Sequence, residues 1–242
     1  MNTTTTIPTT APTTTQQLVT LDIPVNARWV QNGVTVAGGN VTSDLTFQLY
    51  HPHSVVVVDD QTIIISDQYN HRIIQWKIDD INGRVVAGSR GQGTRLDQLD
   101  APTYVVIDRE TDSLIICDRW NKRVVRWSRR RGTAQGEVLL DMIDCFGLVM
   151  DDKRYLYISD VKYHAVRRYQ IGEKYGILVA GGHGMGNGLN QFNEPTFIFV
   201  DQQQAVYVSD HRNHRVMKWN KGATEGIVVA GSHTEGEALT QV

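Results

Sequence analysis

The 242-residue chain sets 24 Lys and Arg against 26 Asp and Glu, for a formal net charge of −2, and 40% of its side chains are hydrophobic. That balance provides no overall field to draw nucleic acid or an anionic membrane, and no apolar window of about 18 residues is present to cross a bilayer as a helix. Two cysteines exclude a disulfide-built scaffold and a multi-cysteine zinc module, and the basic patch and short apolar run of a signal peptide do not open the sequence.

Residues 1–26 read as a Thr-rich lead-in: the first seventeen, MNTTTTIPTTAPTTTQQ, hold nine Thr, two Pro and no charged side chain. Such a stretch cannot bury enough apolar surface to offset its ordering entropy. Thr-rich, Pro-punctuated tracts are typical of extended, O-glycosylated stalks outside the cell, and a plain disordered tail is the simpler reading of the same composition. The sequons at Asn2 and Asn40 fit the first reading and an extracellular or cell-surface location.

From residue 27 onward the chain repeats itself. Four apolar-x-Asp stretches end at Asp67, Asp118, Asp160 and Asp210, spaced by 51, 42 and 50 residues, and an aromatic follows each Asp nine residues later at Trp76, Trp127, Tyr169 and Trp219. A third marker keeps the same register: Asn70-His71-Arg72, Asn121-Lys122-Arg123 and Asn213-His214-Arg215, with Tyr163-His164-Ala165 as the divergent copy. Around each Asp lie four short runs rich in β-branched and aromatic residues, such as Tyr104 to Ile107, Leu114 to Ile116, Val124 to Trp127 and Val138 to Leu140. Turn residues bound these runs, so each is expected to be a strand. Four strands, a to d, in one unit make a β-propeller blade. The units fall at about 47–90, 97–142, 145–183 and 192–232, joined by an L-x-Q-φ-x-x-P linker at Leu96 to Pro102 and Leu189 to Pro195.

The D-x-x-N-H-R signature at Asp67 and Asp210 resembles the NHL-repeat family of β-propellers, in particular its multi-repeat extracellular members. The resemblance implies an all-β propeller, most often closed by six blades. Residues 27–38 match only a fourth strand and the tail of a third, and Leu239, Gln241 and Val242 begin the linker pattern again. The expectation is therefore four complete blades plus an orphan N-terminal strand of a six-bladed, truncated or open design. Its apolar blade faces would invite self-association.

A group that recurs once per blade suits a structural hydrogen-bond network better than catalysis. Asp67, Asp118, Asp160 and Asp210 are expected to accept from backbone N–H groups of the b–c turns, with the following Asn in the left-handed conformation. His71, His164 and His214 repeat rather than converge, which argues against a zinc site. His51 and His53, either side of Pro52, are the one His pair of metal-like closeness, and a polar channel lining is the simpler account of them. Gly184 to Gly188 superficially looks like a phosphate loop, yet no helix is expected after it. Some propellers related to the family are lyases or calcium-dependent lactonases, but none of their catalytic constellations is matched here, so no catalytic residue, metal or cofactor is expected. Cys117 closes a strand b and Cys145 opens the next strand a, where either a bridge or two buried thiols would fit.

Function is expected in the b–c and d–a loops of one face, above all in the variable b–c loops, which pair aromatics with cations: Tyr69, Arg119, Trp120, Lys162, Tyr163, His211 and Arg212. A non-enzymatic recognition propeller for a protein or glycan is the leading reading. Seven cations between Arg119 and Arg131 keep RNA as a less favoured partner, because topology divides them between the two faces.

Overall fold

The computed structural model describes residues 26, 28, 32–38, 48–59, 61–130 and 132–231. The lead-in up to residue 25 and both sequons, Asn2 and Asn40, lie outside the described residues. The chain divides into two units, 1–35 and 36–242. In the first, the described residues carry no strand. The second holds sixteen strands among its described residues.

These strands make four four-stranded antiparallel sheets. Blade one comprises β1 (Pro52–Asp59), β2 (Thr62–Asp67), β3 (Arg72–Lys77) and β4 (Arg84–Ala87). Blade two comprises β5 (Pro102–Asp108), β6 (Ser113–Asp118), β7 (Arg123–Ser128) and β8 (Glu137–Asp141). Blade three comprises β9 (Cys145–Met150), β10 (Tyr155–Asp160), β11 (Ala165–Gln170) and β12 (Ile177–Gly181). Blade four comprises β13 (Pro195–Val200), β14 (Val206–Asp210), β15 (Arg215–Trp219) and β16 (Ile227–Gly231). Each sheet keeps its strands in sequence order, the meander of a propeller blade.

The core lies between successive sheets. Ile64, Ile73 and Ala87 of blade one pack on Leu99, Val105, Leu114 and Ile116 of the next linker and blade. Tyr157, Val166 and Ala180 of blade three meet Phe192, Ile198, Val206 and Val208 in the same way. Strands buried on both faces explain why β2 and β6 are buried at all six positions, and why their runs lack alternation. The strand-c aromatic also fixes the entry to strand d. A Cβ added at Gly83, Gly136 or Gly226 would come within 2.7, 2.8 and 2.4 Å of the Trp76, Trp127 and Trp219 rings, and one at Gly176 within 2.5 Å of Tyr169. Only glycine lets the chain turn beneath that ring.

The orphan strand expected at 27–38 is not formed in the described part of that span. Residues 33–36 have no ladder partner, and Val34 and Val36 are exposed. A Cβ on Gly38 would meet Leu49 at 3.3 Å, as one on Gly88 would meet Leu99 at 3.0 Å and one on Gly181 would meet Phe192 at 2.4 Å.

Candidate recognition face

In three blades the recurring Asp is the centre of a buried clasp. Asp118 Oδ2 accepts from Asn121 Nδ2 at 2.8 Å and Arg123 Nε at 2.7 Å, while Oδ1 accepts from the Asp100 backbone N–H at 2.6 Å. The Arg123 guanidinium then donates to the carbonyls of Thr94, Arg95 and Gln98. Blade four repeats this with Asp210, Asn213, Arg215 and the Asn193 N–H, reaching the carbonyls of Asn187, Gly188 and Gln191. Blade one uses Asp67, Asn70, Arg72 and the Tyr50 N–H, with the Gln48 carbonyl as the Arg72 acceptor. The clasp therefore ties the b–c turn to the linker before its own blade.

Two expectations about this network are corrected. In these three blades the backbone donor to the Asp comes from the linker 17 or 18 residues upstream, not from the b–c turn. The left-handed residue is the one after the Asn: His71, Lys122, His164 and His214 have φ of 52°, 52°, 49° and 48°. The Asn is instead consumed by its side-chain bond to the Asp. The Gly184 to Gly188 loop offers carbonyls to Arg215 and Asn213, the reverse of a phosphate cradle.

The histidines join neighbouring blades. His71 Nδ1 accepts from the Ala101 N–H at 3.0 Å and His164 Nδ1 accepts from the Glu194 N–H at 3.3 Å. Both donors directly precede the proline that opens the next strand a. Ser66 Oγ donates to the Pro102 carbonyl at 2.8 Å and Ser159 Oγ to the Thr196 carbonyl at 2.6 Å. At the corresponding junction between blades two and three, Cys117 and Cys145 form a disulfide.

With the turns anchored, their variable residues project on the side of the linkers that lead into strand a. Tyr69, Trp120 and Tyr163 are 38, 54 and 49% exposed. Tyr69 packs edge-on to Tyr50 at 5.1 Å, stacks on His51 at 4.7 Å and lies 6.4 Å from Trp120, which in turn lies 6.4 Å from His71. His51 also bonds to Gln68 Oε1 and neighbours His53 at 5.8 Å. From His53 the cluster runs inward to Phe146 at 5.0 Å and Phe197 at 6.0 Å, and Phe197 reaches Tyr104 at 6.3 Å. The first strands of all four blades thus meet in one aromatic mouth. The two histidines that looked like a ligand pair are held by Gln68, Tyr69 and the two Phe rings. Among the described residues no three His, Cys, Asp or Glu side chains gather as metal ligands would.

Cations border the mouth. The Arg119 guanidinium lies 4.8 Å over Phe146 and 3.6 Å from Asp144, and Lys162 lies 5.1 Å over the Tyr163 ring. Burial, with smaller contributions from His51 and Arg119, lowers the His53 pKa below the ordinary imidazole value. Arg212 bonds Glu194 Oε2 at 3.0 Å with His211 3.7 Å from the same atom, and Arg212 draws the Glu194 carboxyl below its usual range.

Sequence reasoning missed several residues. Asp59, Asp108, Asp151 and Asp201 close strand a in every blade and accept the N–H of Gln61, Glu110, Lys153 and Ala205 through Oδ1. Two of them receive a side chain from the next blade, Arg154 on Asp108 and Gln204 on Asp151. Their register was visible as a second Asp in each unit. Phe146 and Phe197 carried no comparable signal, because they occupy different positions in their blades and converge only through the stacking of sheets.

Residues 49–76 match the family model for the NHL repeat, the span from the end of the first linker to the first strand-c Trp. The chain carries the NHL repeat on a β-propeller. No curated protein matches the sequence. Among solved structures, the chain is similar to a chain of a nidogen–laminin complex, with TM-score 0.57 and 18% identity over 78% of this chain and 67% of that one. It is also similar to a catalytically inactive variant of virginiamycin B lyase from Staphylococcus aureus with quinupristin, with TM-score 0.55 and 12% identity over 80% and 59%. A streptogramin B lyase structure gives TM-score 0.54 and 7% identity over 78% and 55%. The chain thus spans little more than half the length of the lyases. Identities this low establish the fold, which enzymes and a protein-bound propeller share. No described helix is long and apolar enough to cross a membrane.

Proposed function

We propose that the protein is a non-enzymatic recognition propeller that binds an extracellular protein, or its glycan, at the aromatic mouth. The carrying observation is the continuous cluster from Trp120 and Tyr69 through His53 to Phe146 and Phe197, rimmed by Arg119 and Lys162. Partly exposed aromatics beside guanidinium groups match the composition of binding hot spots. The inter-blade disulfide supports an oxidising compartment, and the likeness to a chain from a nidogen–laminin complex supports a protein partner.

The same reading takes the blades as four of a six-bladed design, with the Gly38–Leu49 contact as the remnant of a preceding strand d. In blade four, Tyr207 and Val216 are half-buried and Ala230 exposed, where Tyr157, Val166 and Ala180 of blade three are buried. That face suits a further blade or a second copy.

Two measurements test the proposal. Binding to immobilised laminin and other basement-membrane proteins is compared for the native chain and Trp120→Ala, with an expected loss of tenfold or more; equal binding by the two, or no binding to any of them, overturns the mouth as the site. Incubation with quinupristin, followed by liquid chromatography against a protein-free control, is expected to leave its elution unchanged, and a new product peak that depends on the protein overturns the non-enzymatic reading.

A further inference from the structure

On the side of the blades away from the b–c turns, the outer strands of blades one and two leave a crevice of about 350 Å³. Its walls carry Arg84 from β4 and Arg129 and Arg130 from the turn after β7, with Gln75, Ser128 and Thr133 as neutral polar groups. Among the described residues, no carboxylate and no aromatic ring lines it. Arg84 donates to Gln75 Oε1 at 3.2 Å and Arg129 pairs with Asp112 at 2.9 Å. The Arg130 guanidinium has no hydrogen-bond or ion-pair partner among the described residues. Each guanidinium has five donors, so most of this donor capacity is unspent.

The crevice is a general product of stacking one blade on the next, and its charge is not. Between blades three and four an opening of about 320 Å³ carries Arg168 and Lys221, and Arg168 already lies 4.4 Å over the Tyr155 ring. Between blades two and three the space shrinks to about 10 Å³, lined by Leu139, Leu140, Leu156 and Tyr169 with Glu173. Among the described residues, the first of these three junctions combines an open crevice with three arginines.

We propose that this crevice binds a sulfated oligosaccharide through Arg84, Arg129 and Arg130. Planar guanidinium forks match the oxygens of a sulfate ester and are weakly hydrated, which favours an anion that is itself poorly hydrated. Single-stranded nucleic acid is disfavoured because its bases need stacking platforms, and the aromatic side chains lie at the mouth instead. A carboxylate-only peptide would find little apolar wall to hold its other side chains, since Ile64 and Leu114 at the crevice floor are fully buried and Val85 and Val86 are half-buried. The site is independent of the mouth, so either can fail alone.

The test is fluorescence anisotropy of a labelled heparin-type octasaccharide with the full chain at about 150 mM salt, where exposed charges are screened beyond about 8 Å. The paired variant Arg84→Gln with Arg130→Gln is expected to weaken binding about tenfold or more, since it removes two charge-assisted contacts. Its thermal midpoint should not move, because both side chains are exposed. Lys153→Gln, which removes one charge from a neighbouring turn, is expected to leave affinity within twofold. Desulfated octasaccharide is expected not to bind. Unchanged binding by the double variant, tighter binding of a single-stranded RNA or of polyglutamate, or no saturable binding of the octasaccharide would each overturn the proposal.

Discussion

The junctions between blades one and two and between blades three and four are built alike, and the junction between blades two and three is not. In the first pair a long linker is wrapped around an Arg of the following blade, Arg123 or Arg215, and a Ser hydroxyl and a His ring reach across to the next strand a. At the odd junction the linker from Asp141 to Cys145 is short and the clasp of blade three is missing. Ala165 stands where the other blades have Arg, Tyr163 where they have Asn, and buried Asp160 has its Oδ1 without a partner. With no long loop to hold, an Arg there would have Asp160 to pair with but no linker carbonyls for its outer donors. The disulfide takes over the Ser position, so the chain exchanged many polar bonds for one covalent link. The lesson is that each blade needs one strong tie to its neighbour, and chemistry of different kinds satisfies that need.

The largest effect is expected from breaking the clasp. Arg123→Ala strands the buried Asp118 carboxylate and should cost about 3–5 kcal/mol in urea unfolding, whereas a substitution of Ala165, its counterpart in blade three, by Ser should cost far less. Next comes the covalent tie. Cys117→Ala with Cys145→Ala should lose about 3 kcal/mol for a loop of 28 residues. Cys117→Ser with Cys145→Pro should lose less, because it rebuilds the Ser66–Pro102 arrangement of the first junction.

A smaller and pH-dependent contrast is expected at Asp160. Burial, the largest cause, raises its pKa above the ordinary carboxylate value, and the nearby Asp144 charge adds to this. A raised folded pKa means the folded state binds the proton more readily. Its stabilising contribution is therefore complete below the unfolded value, near 3.8, and is lost as pH rises through the folded value. Asp160→Asn should stabilise the chain at pH 7 and lose that advantage in acid. A constant difference from pH 3 to 7 would show that the Asp160 carboxyl does not titrate abnormally. The smallest expected change is Ser66→Ala, about 1 kcal/mol for a buried hydrogen bond to the Pro102 carbonyl, read as a shift in the urea midpoint.

Much of this was legible because it is local. Asp67, Asn70 and Arg72 form one clasp within six residues of chain, and strand b announces itself by an unbroken apolar run. The role of His71 was not legible, since its partner is the Ala101 N–H 30 residues away and depends on how blade two sits. Likewise the strand-d glycines are visible as letters, but the Trp76 ring that requires Gly83 is found only in three dimensions.

By itself the sequence determined the period, the four-stranded unit, the clasp residues and the blade whose clasp is degenerate, because backbone preference and burial pattern act over a few neighbours. The tertiary structure alone decided which linker feeds each Asp, that Cys117 meets Cys145, that four unlike strand-a residues form one aromatic mouth, and that the first crevice gathers three arginines. Those outcomes depend on the rotation of each sheet against the next. Packing between blades sets that rotation, and no short stretch of sequence encodes it.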